Sequence, residues 1–148
     1  MSDYDDLHGY YLEDLTVGMT EVYAKTITEA DIVMFAGISG DTNPVHLNAE
    51  FAEKTIFKER IAHGMLSAAL LSTIFGTKLP GPGAIYVNQS LSFKAPVCIG
   101  DTVIARATLR EINGKRVGFD CVCTIGDTVI LEGDATLMVS RRIQEKKI

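Results

Sequence analysis

From Ala62 to Thr77 the chain carries no charged side chain. Within this stretch Met65, Leu66, Ala68, Ala69, Leu70, Leu71, Ile74 and Phe75 fall on every side of a helix, and a helix that is apolar all round is buried. It is too short, and too rich in Ser67, Ser72 and Thr73, to cross a bilayer, which needs about 20 mainly apolar residues. The rest of the chain must therefore supply a layer that covers a central helix over about residues 64–76.

That layer is written in the second half. After the breaker Pro80-Gly81-Pro82-Gly83 the period changes from helical to alternating. Ile85, Val87, Gln89, Leu91 and Phe93 share one face of a predicted half-buried strand. Val103, Ala105, Ala107 and Leu109 form a second inward face. Val117, Phe119, Cys121, Cys123 and Ile125 form a third, and Val129, Leu131, Gly133, Ala135, Leu137 and Val139 a fourth. Asn113-Gly114 is a hairpin signal, and Gly126-Asp127 sits in the next connection. With Val22 to Ile27 as a first strand, the prediction is α+β: an antiparallel sheet of about five strands wrapped around the buried helix.

Before that helix, Thr28 with Asp31 three residues on predicts a capping box opening a short helix that Gly37 and Gly40 end. Asn48 caps a second short helix, Ala49 to Lys54. Residues 1–9 read as loosely ordered. Met1 to Tyr10 is polar and acidic, unlike a signal or transit peptide, which makes the cytoplasm the expected compartment.

The 148 residues, 47% of them hydrophobic, suit one domain, 1–148, with a sizeable core. The net charge of −5 argues against a nucleic-acid partner, which calls for a concentrated basic face. Arg141, Arg142, Lys146 and Lys147 read as a solvated terminus. Cys98, Cys121 and Cys123 have no zinc spacing and read as buried thiols.

The chemistry is concentrated in Gly40-Asp41-Thr42-Asn43-Pro44-Val45-His46, where a carboxylate, an amide and an imidazole crowd around glycine and proline. Gly40 and Pro44 disfavour a regular helix, so the segment reads as a fixed loop on which Asp41 and His46 converge as base and proton shuttle around one water. Asp and Asn beside Pro also form turns with their own backbone, and a single His also serves as a packed structural residue. Spacing alone is compatible with both readings.

The wider run Phe35-Ala36-Gly37-Ile38-Ser39-Gly40-Asp41-Thr42-Asn43-Pro44-Val45-His46, with Ala52 six positions on, resembles without gaps the hydratase 2 motif of the MaoC-like enoyl-CoA hydratases. The resemblance runs from about Tyr11 to Val139 and is strongest to the small (R)-specific enoyl-CoA hydratases. It implies a hotdog fold that dimerises, as a homodimer or a dimer of dimers, with the site near the subunit interface. It also implies hydration of a trans-2-enoyl-CoA, with coenzyme A present only as part of the substrate and no separate cofactor. Asp41 and His46 would activate the water, and the backbone amide of Gly64, at the tip of the buried helix, would receive the developing oxyanion. Asn43 and Ser72 would support the pair.

His63 is expected as a structural or gate residue beside the substrate, and Phe75 as a wall of the acyl pocket or a core aromatic. Lys94, Arg106, Arg110 and Lys115 are the candidate contacts for the coenzyme A phosphates. No metal is expected, because Asp41, His46 and His63 lack metal-site spacing. Two alternatives in the same fold are a thioesterase and an acyl-carrier-protein dehydratase, in which an acidic residue commonly sits on the central helix. This helix has none. A non-catalytic acyl-thioester binder is the third, and it would need no intact Asp/His pair.

Overall fold

The computed structural model describes residues 4–142 of the chain. Lys146 and Lys147 of the predicted basic terminus, and residues 1–3, lie outside the described residues. Strand β1 (Thr20–Thr26) leads into helix α1 (Glu29–Ser39), two short helices, α2 (Pro44–Leu47) and α3 (Ala49–Glu53), and the central helix α4 (Gly64–Thr77). Strands β2 (Ile85–Gln89), β3 (Ser92–Phe93), β4 (Thr102–Asn113), β5 (Arg116–Ile125) and β6 (Thr128–Met138) follow. They form one six-stranded antiparallel sheet in the order β1-β4-β5-β6-β2, with the two-residue β3 also paired to β6. The predicted α+β architecture, a sheet curled over one helix, is the one observed.

The inward faces of β4 and β5 are as the alternation predicts, and β6 follows it at Leu131, Ala135 and Leu137. Val103, Ala105, Ala107, Leu109, Val117, Phe119, Cys121, Cys123, Leu131, Ala135 and Leu137 are all buried, facing Leu66, Leu71, Ile74 and Phe75 of α4. A fully buried side chain of this size contributes roughly 1.5–3 kcal/mol. Burial also pushes the thiols of Cys121 and Cys123 up to about 11 and about 12, so neither is a nucleophile. Cys98, expected to be buried, is only half-buried. Both hairpins are tight: Asn113 pairs with Arg116 and Ile125 with Thr128. Gly114 (φ +63°) and Gly126 (φ +56°) take the first loop position, where a positive φ suits a two-residue turn.

Four local expectations are corrected. First, α4 is not buried all round: Met65, Ala69, Ser72 and Gly76 form an exposed stripe at helical spacing, because one curled sheet covers only part of a cylinder. Second, the strand expected to be half-buried over Ile85–Phe93 breaks into β2 and β3, with a register shift between Tyr86 and Asn88. As an edge strand it leaves Ile85, Tyr86, Val87 and Phe93 exposed. Third, β6 carries an extra residue: Cys123 pairs with Leu131 and Thr124 with Val129, so the bulged Ile130 is buried beside Leu131. Fourth, residues 4–9 are not loose. They contain a 3₁₀ turn, Asp5–Leu7, and the Gly9 amide donates to the Pro82 carbonyl at 2.8 Å. The other end of the described chain closes just beyond this segment, where Arg142 makes a bidentate contact with Asp14 at 2.7 and 2.8 Å and lies over the Tyr11 ring.

Two glycines test this packing with opposite signs. A Cβ at Gly133 would overlap the Ser90 carbonyl oxygen, whereas one at Gly37, on the exposed face of α1, would meet nothing within 4 Å. Gly133→Ala is expected to destabilise by about 1–3 kcal/mol, and Gly37→Ala to stabilise by roughly 0.5–1 kcal/mol. Urea midpoints of the two variants check both signs.

Candidate active site

The site begins where α1 stops. Thr28 and Asp31 form the expected capping box (2.9 and 3.2 Å), and Gly40, at φ +77°, ends the helix in the left-handed conformation. The chain then turns on its own side chains. Ser39 Oγ accepts the Asp41 amide at 3.1 Å, Asp41 Oδ1 accepts the Asn43 amide at 3.2 Å, and Asn43 Oδ1 accepts the Val45 amide at 3.1 Å. The last of these caps α2, with Pro44 in the first helical position. His46 therefore sits on a helical turn rather than on the loop expected, because proline at a helix start loses no hydrogen bond.

Four contacts fix the imidazoles. His46 is 7% exposed, and its Nδ1 lies 2.8 Å from the Ile61 carbonyl. A carbonyl only accepts, so in this contact Nδ1 carries a proton, and in the neutral ring Nε2 is then the nitrogen with the lone pair. His63, 2% exposed, places Nε2 2.9 Å from the carbonyl of Asp41, which sets the opposite tautomer. The two rings stack with centroids 3.8 Å apart and planes 29° apart, and Phe35 packs on His63 at 4.8 Å. Behind His46, Arg60 Nε donates to its carbonyl at 2.7 Å, while Nη1 pairs with Glu29 at the start of α1 at 2.8 Å.

Asp41, His46 and His63, which the sequence holds apart, converge with one carboxylate oxygen and one nitrogen of each ring within 4.8 Å. The geometry suits proton transfer better than metal binding. Each histidine commits one nitrogen to a backbone carbonyl, and the other nitrogen of His63, Nδ1, is buried with no hydrogen-bond partner among the described residues. Two rings stacked at 3.8 Å with planes 29° apart are also poorly disposed to aim their in-plane lone pairs at one ion about 2 Å away.

Against this cluster opens a cavity of about 510 Å³ lined mainly by apolar residues, among them Phe57, Phe93, Val97 and Ile130. Its polar lining side chains are His63, Ser67 and Lys94. Volume and lining fit a small-molecule site. The tip of α4 forms part of the wall through Gly64 and Met65. Gly64 leaves room there for the Phe93 ring, since a Cβ would lie 2.7 Å from it and the ring would have to move. His46 lies behind the His63 ring and Asp41 is exposed beside it; neither lines the cavity, and His63 belongs to both groups.

A family model described as "MaoC like domain" matches residues 17–133. The chain belongs to the MaoC-like family. It is 56% identical to an (R)-specific enoyl-CoA hydratase of Rhodospirillum rubrum over 93% of this chain and 97% of that protein. It is 46% identical to a 3-hydroxybutyryl-CoA dehydratase of Methylorubrum extorquens over 93% and 88%. Among solved structures it superposes on the unliganded R-hydratase PhaJ1 of Pseudomonas aeruginosa with a TM-score of 0.85, at 39% identity and 93% and 92% coverage. For an (R)-hydratase of A. caviae the corresponding values are 0.83, 37%, 86% and 98%. These neighbours are hotdog proteins, and the hotdog fold expected from the resemblance is the fold observed.

Within this MaoC-like chain the structure redistributes several expected roles. Ser72 is on the exposed stripe of α4, and among the described residues no hydrogen bond joins it to Asp41 or His46. The serine on the cavity side is Ser67, 2% exposed and with an unpartnered hydroxyl. Its spacing of three from Gly64 and four from His63 puts it on their face. Of the two readings of Phe75, acyl-pocket wall or core aromatic, the structure has the second: it packs on Phe119 at 4.9 Å and edge-on to Tyr86 at 5.5 Å. Of the four candidate cations only Lys94 lines the cavity. Arg110 is held by Asp120 at 2.7 Å, Arg106 lines a separate cleft with Asp120, Glu132 and Asp134, and Lys115 is in a hairpin turn. Arg60 carried no sequence signal, because its contact with His46 depends on how residues 47–59 fold back.

Arg60 links α1, α2 and the approach to α4, so Arg60→Ala is expected to cost about 1.5–3 kcal/mol through its charge-assisted bond to the His46 carbonyl. Glu29→Gln, which removes only the exposed ion pair, is expected to cost about 0–1 kcal/mol. Denaturant midpoints of the two variants separate these contributions; equal losses would assign the stability to the ion pair.

Proposed function

We propose that this chain catalyses the reversible hydration of a trans-2-enoyl-CoA to an (R)-3-hydroxyacyl-CoA. The observation that carries this reading is the convergence of Asp41 and His46, within 4.8 Å, around His63, which also lines an apolar cavity headed by the tip of an uncharged helix. The naming of relatives at 56% and 46% identity for a hydratase and a dehydratase, the two directions of one reaction, supports it.

The residues divide the work as the chemistry requires. A water held between the Asp41 carboxylate and the bare His46 Nε2 loses a proton to the pair as its oxygen bonds to C3. The C2–C3 π electrons move toward the thioester carbonyl, whose oxygen gathers charge. The Gly64 amide, at the start of α4 where backbone donors have no intrahelical partner, receives that charge. The pair then returns a proton to C2, so that one water has been added and no group is left over. Lys94 at the cavity is the contact for the coenzyme A side of the substrate.

A second copy of the chain completes the arrangement. The stripe Met65, Ala69, Ser72 and Gly76 and the exposed Ile85, Tyr86 and Val87 of edge strand β2 offer it an apolar face. Ser72 then belongs to the interface, which accounts for its distance from the Asp41/His46 pair of its own chain. Among the described residues no helix is long and apolar enough to cross a membrane.

Incubation with crotonyl-CoA tests the reading. Loss of the conjugated-enoyl absorbance, formation of (R)-3-hydroxybutyryl-CoA and absence of free thiol are expected; release of coenzyme A would instead make the chain a thioesterase. Asp41→Asn and His46→Gln are each expected to lower kcat by about 10²–10⁴-fold with the melting temperature retained. A separate assay concerns Lys94→Ala, which is expected to raise KM with kcat little changed, the signature of lost ground-state binding.

A further inference from the structure

We infer that His63 is a positioning residue that sets the spacing between the oxyanion donor and the proton-handling pair. This rests on the hydratase reading for its kinetic consequences, and on geometry alone for the clamp itself. His63 stands at the N-cap of α4, where Ser, Thr, Asp or Asn normally satisfies the first helical amides. It makes no such bond. Its side chain turns back and donates through Nε2 to the Asp41 carbonyl at 2.9 Å. The residue covalently attached to Gly64 thus grips the backbone of Asp41, across 22 positions of sequence. The distance from the Gly64 amide to the Asp41 carboxylate is then governed by one imidazole.

The rest of the surroundings agrees with a holding role. The ring is packed on the imidazole of His46 at 3.8 Å and on the Phe35 ring at 4.8 Å. Its Nδ1 is buried and, among the described residues, makes no hydrogen bond, so its Nε2 contact is the one polar tie the ring makes. The ionisable groups around it are Asp41 on the loop, the stacked His46 on α2, and Arg60, which reaches the His46 carbonyl. Ser67, four residues along α4, shares its face with an equally unpartnered hydroxyl. His63 and His46, face to face, therefore carry opposite tautomers, one anchored to Asp41 and the other to Ile61.

Two arms test this. Long-range proton–nitrogen spectra of the imidazoles, recorded near about pH 8.5 where free histidine is neutral, are simple to assign by substitution because the chain has 3 histidines. His63 is expected as the Nε2–H tautomer and His46 as the Nδ1–H tautomer; the same tautomer in both would overturn the clamp, whatever the protein catalyses. In the kinetic arm, His63→Phe keeps a ring to stack but loses the donor, and His63→Gln places an amide donor near the position of Nε2. His63→Phe is expected to lower kcat on crotonyl-CoA by about 10–100-fold, the scale of an ångström-sized misplacement, with KM changed little, and His63→Gln to recover most of that loss. Unchanged kcat in His63→Phe, a loss confined to KM, or no recovery by Gln would each overturn the positioning role. If the wild-type protein hydrates no enoyl-CoA, the hydratase reading fails while the tautomer spectra still decide the clamp. Thermal melts identify any variant that does not fold, in which case the wild-type spectra stand as the test.

Discussion

An uncharged helix cannot remain in water, and covering α4 organises the molecule. The curled sheet buries Leu66, Leu71, Ile74 and Phe75 and leaves the N-terminal tip of the helix at the margin of the core, where its first amides have no partner in the helix. A helix buried on its sheet-facing side but open at its positive end presents hydrogen-bond donors beside an apolar cavity, where a substrate filling the cavity would exclude water from them. In such a setting a developing negative charge is stabilised more than it would be in solvent. The fold and the site are therefore consequences of the same constraint.

The second requirement is to bring a carboxylate and an imidazole to that tip. A chain of short-range devices does this: a capping box at Thr28, a left-handed Gly40, side-chain turns by Ser39, Asp41 and Asn43, and a helical turn started by Pro44. None is strong alone, since hydrogen bonds of this kind contribute about 0.5–1.5 kcal/mol each. Their effect is to leave the loop few alternative paths. Longer-range contacts from Arg60, Ile61 and His63 then fix where the loop sits relative to α4.

This division explains what was legible in the sequence. The capping box, the Asn48 cap, the two tight hairpins and the inward faces of β4 and β5 each depend on residues within a few positions, and all appear where the pattern placed them. The features that were not legible depend on distance or on the assembled molecule. Ser67 and Ser72 look alike in sequence, and only the direction of the helix separates the buried one from the exposed one. Apolar spacing over Ile85–Phe93 reads as burial, yet a single chain leaves that edge open. The Arg60–His46 and Arg142–Asp14 contacts span 14 and 128 positions, and no local signal predicts either. The Asp41/His46 pair was legible as a motif, whereas the way His63 joins it was not.

The aromatic ring of Phe93 fills the space that a side chain at position 64 would need. The width of the slot above the helix tip is thus shared by two positions 29 residues apart in the numbering, one on α4 and one on β3. Among homologous chains these two sites should vary together, with any residue larger than glycine at the first matched by a smaller one at the second. Changing the second alone offers a way to widen the entrance without disturbing the groups that carry out the chemistry.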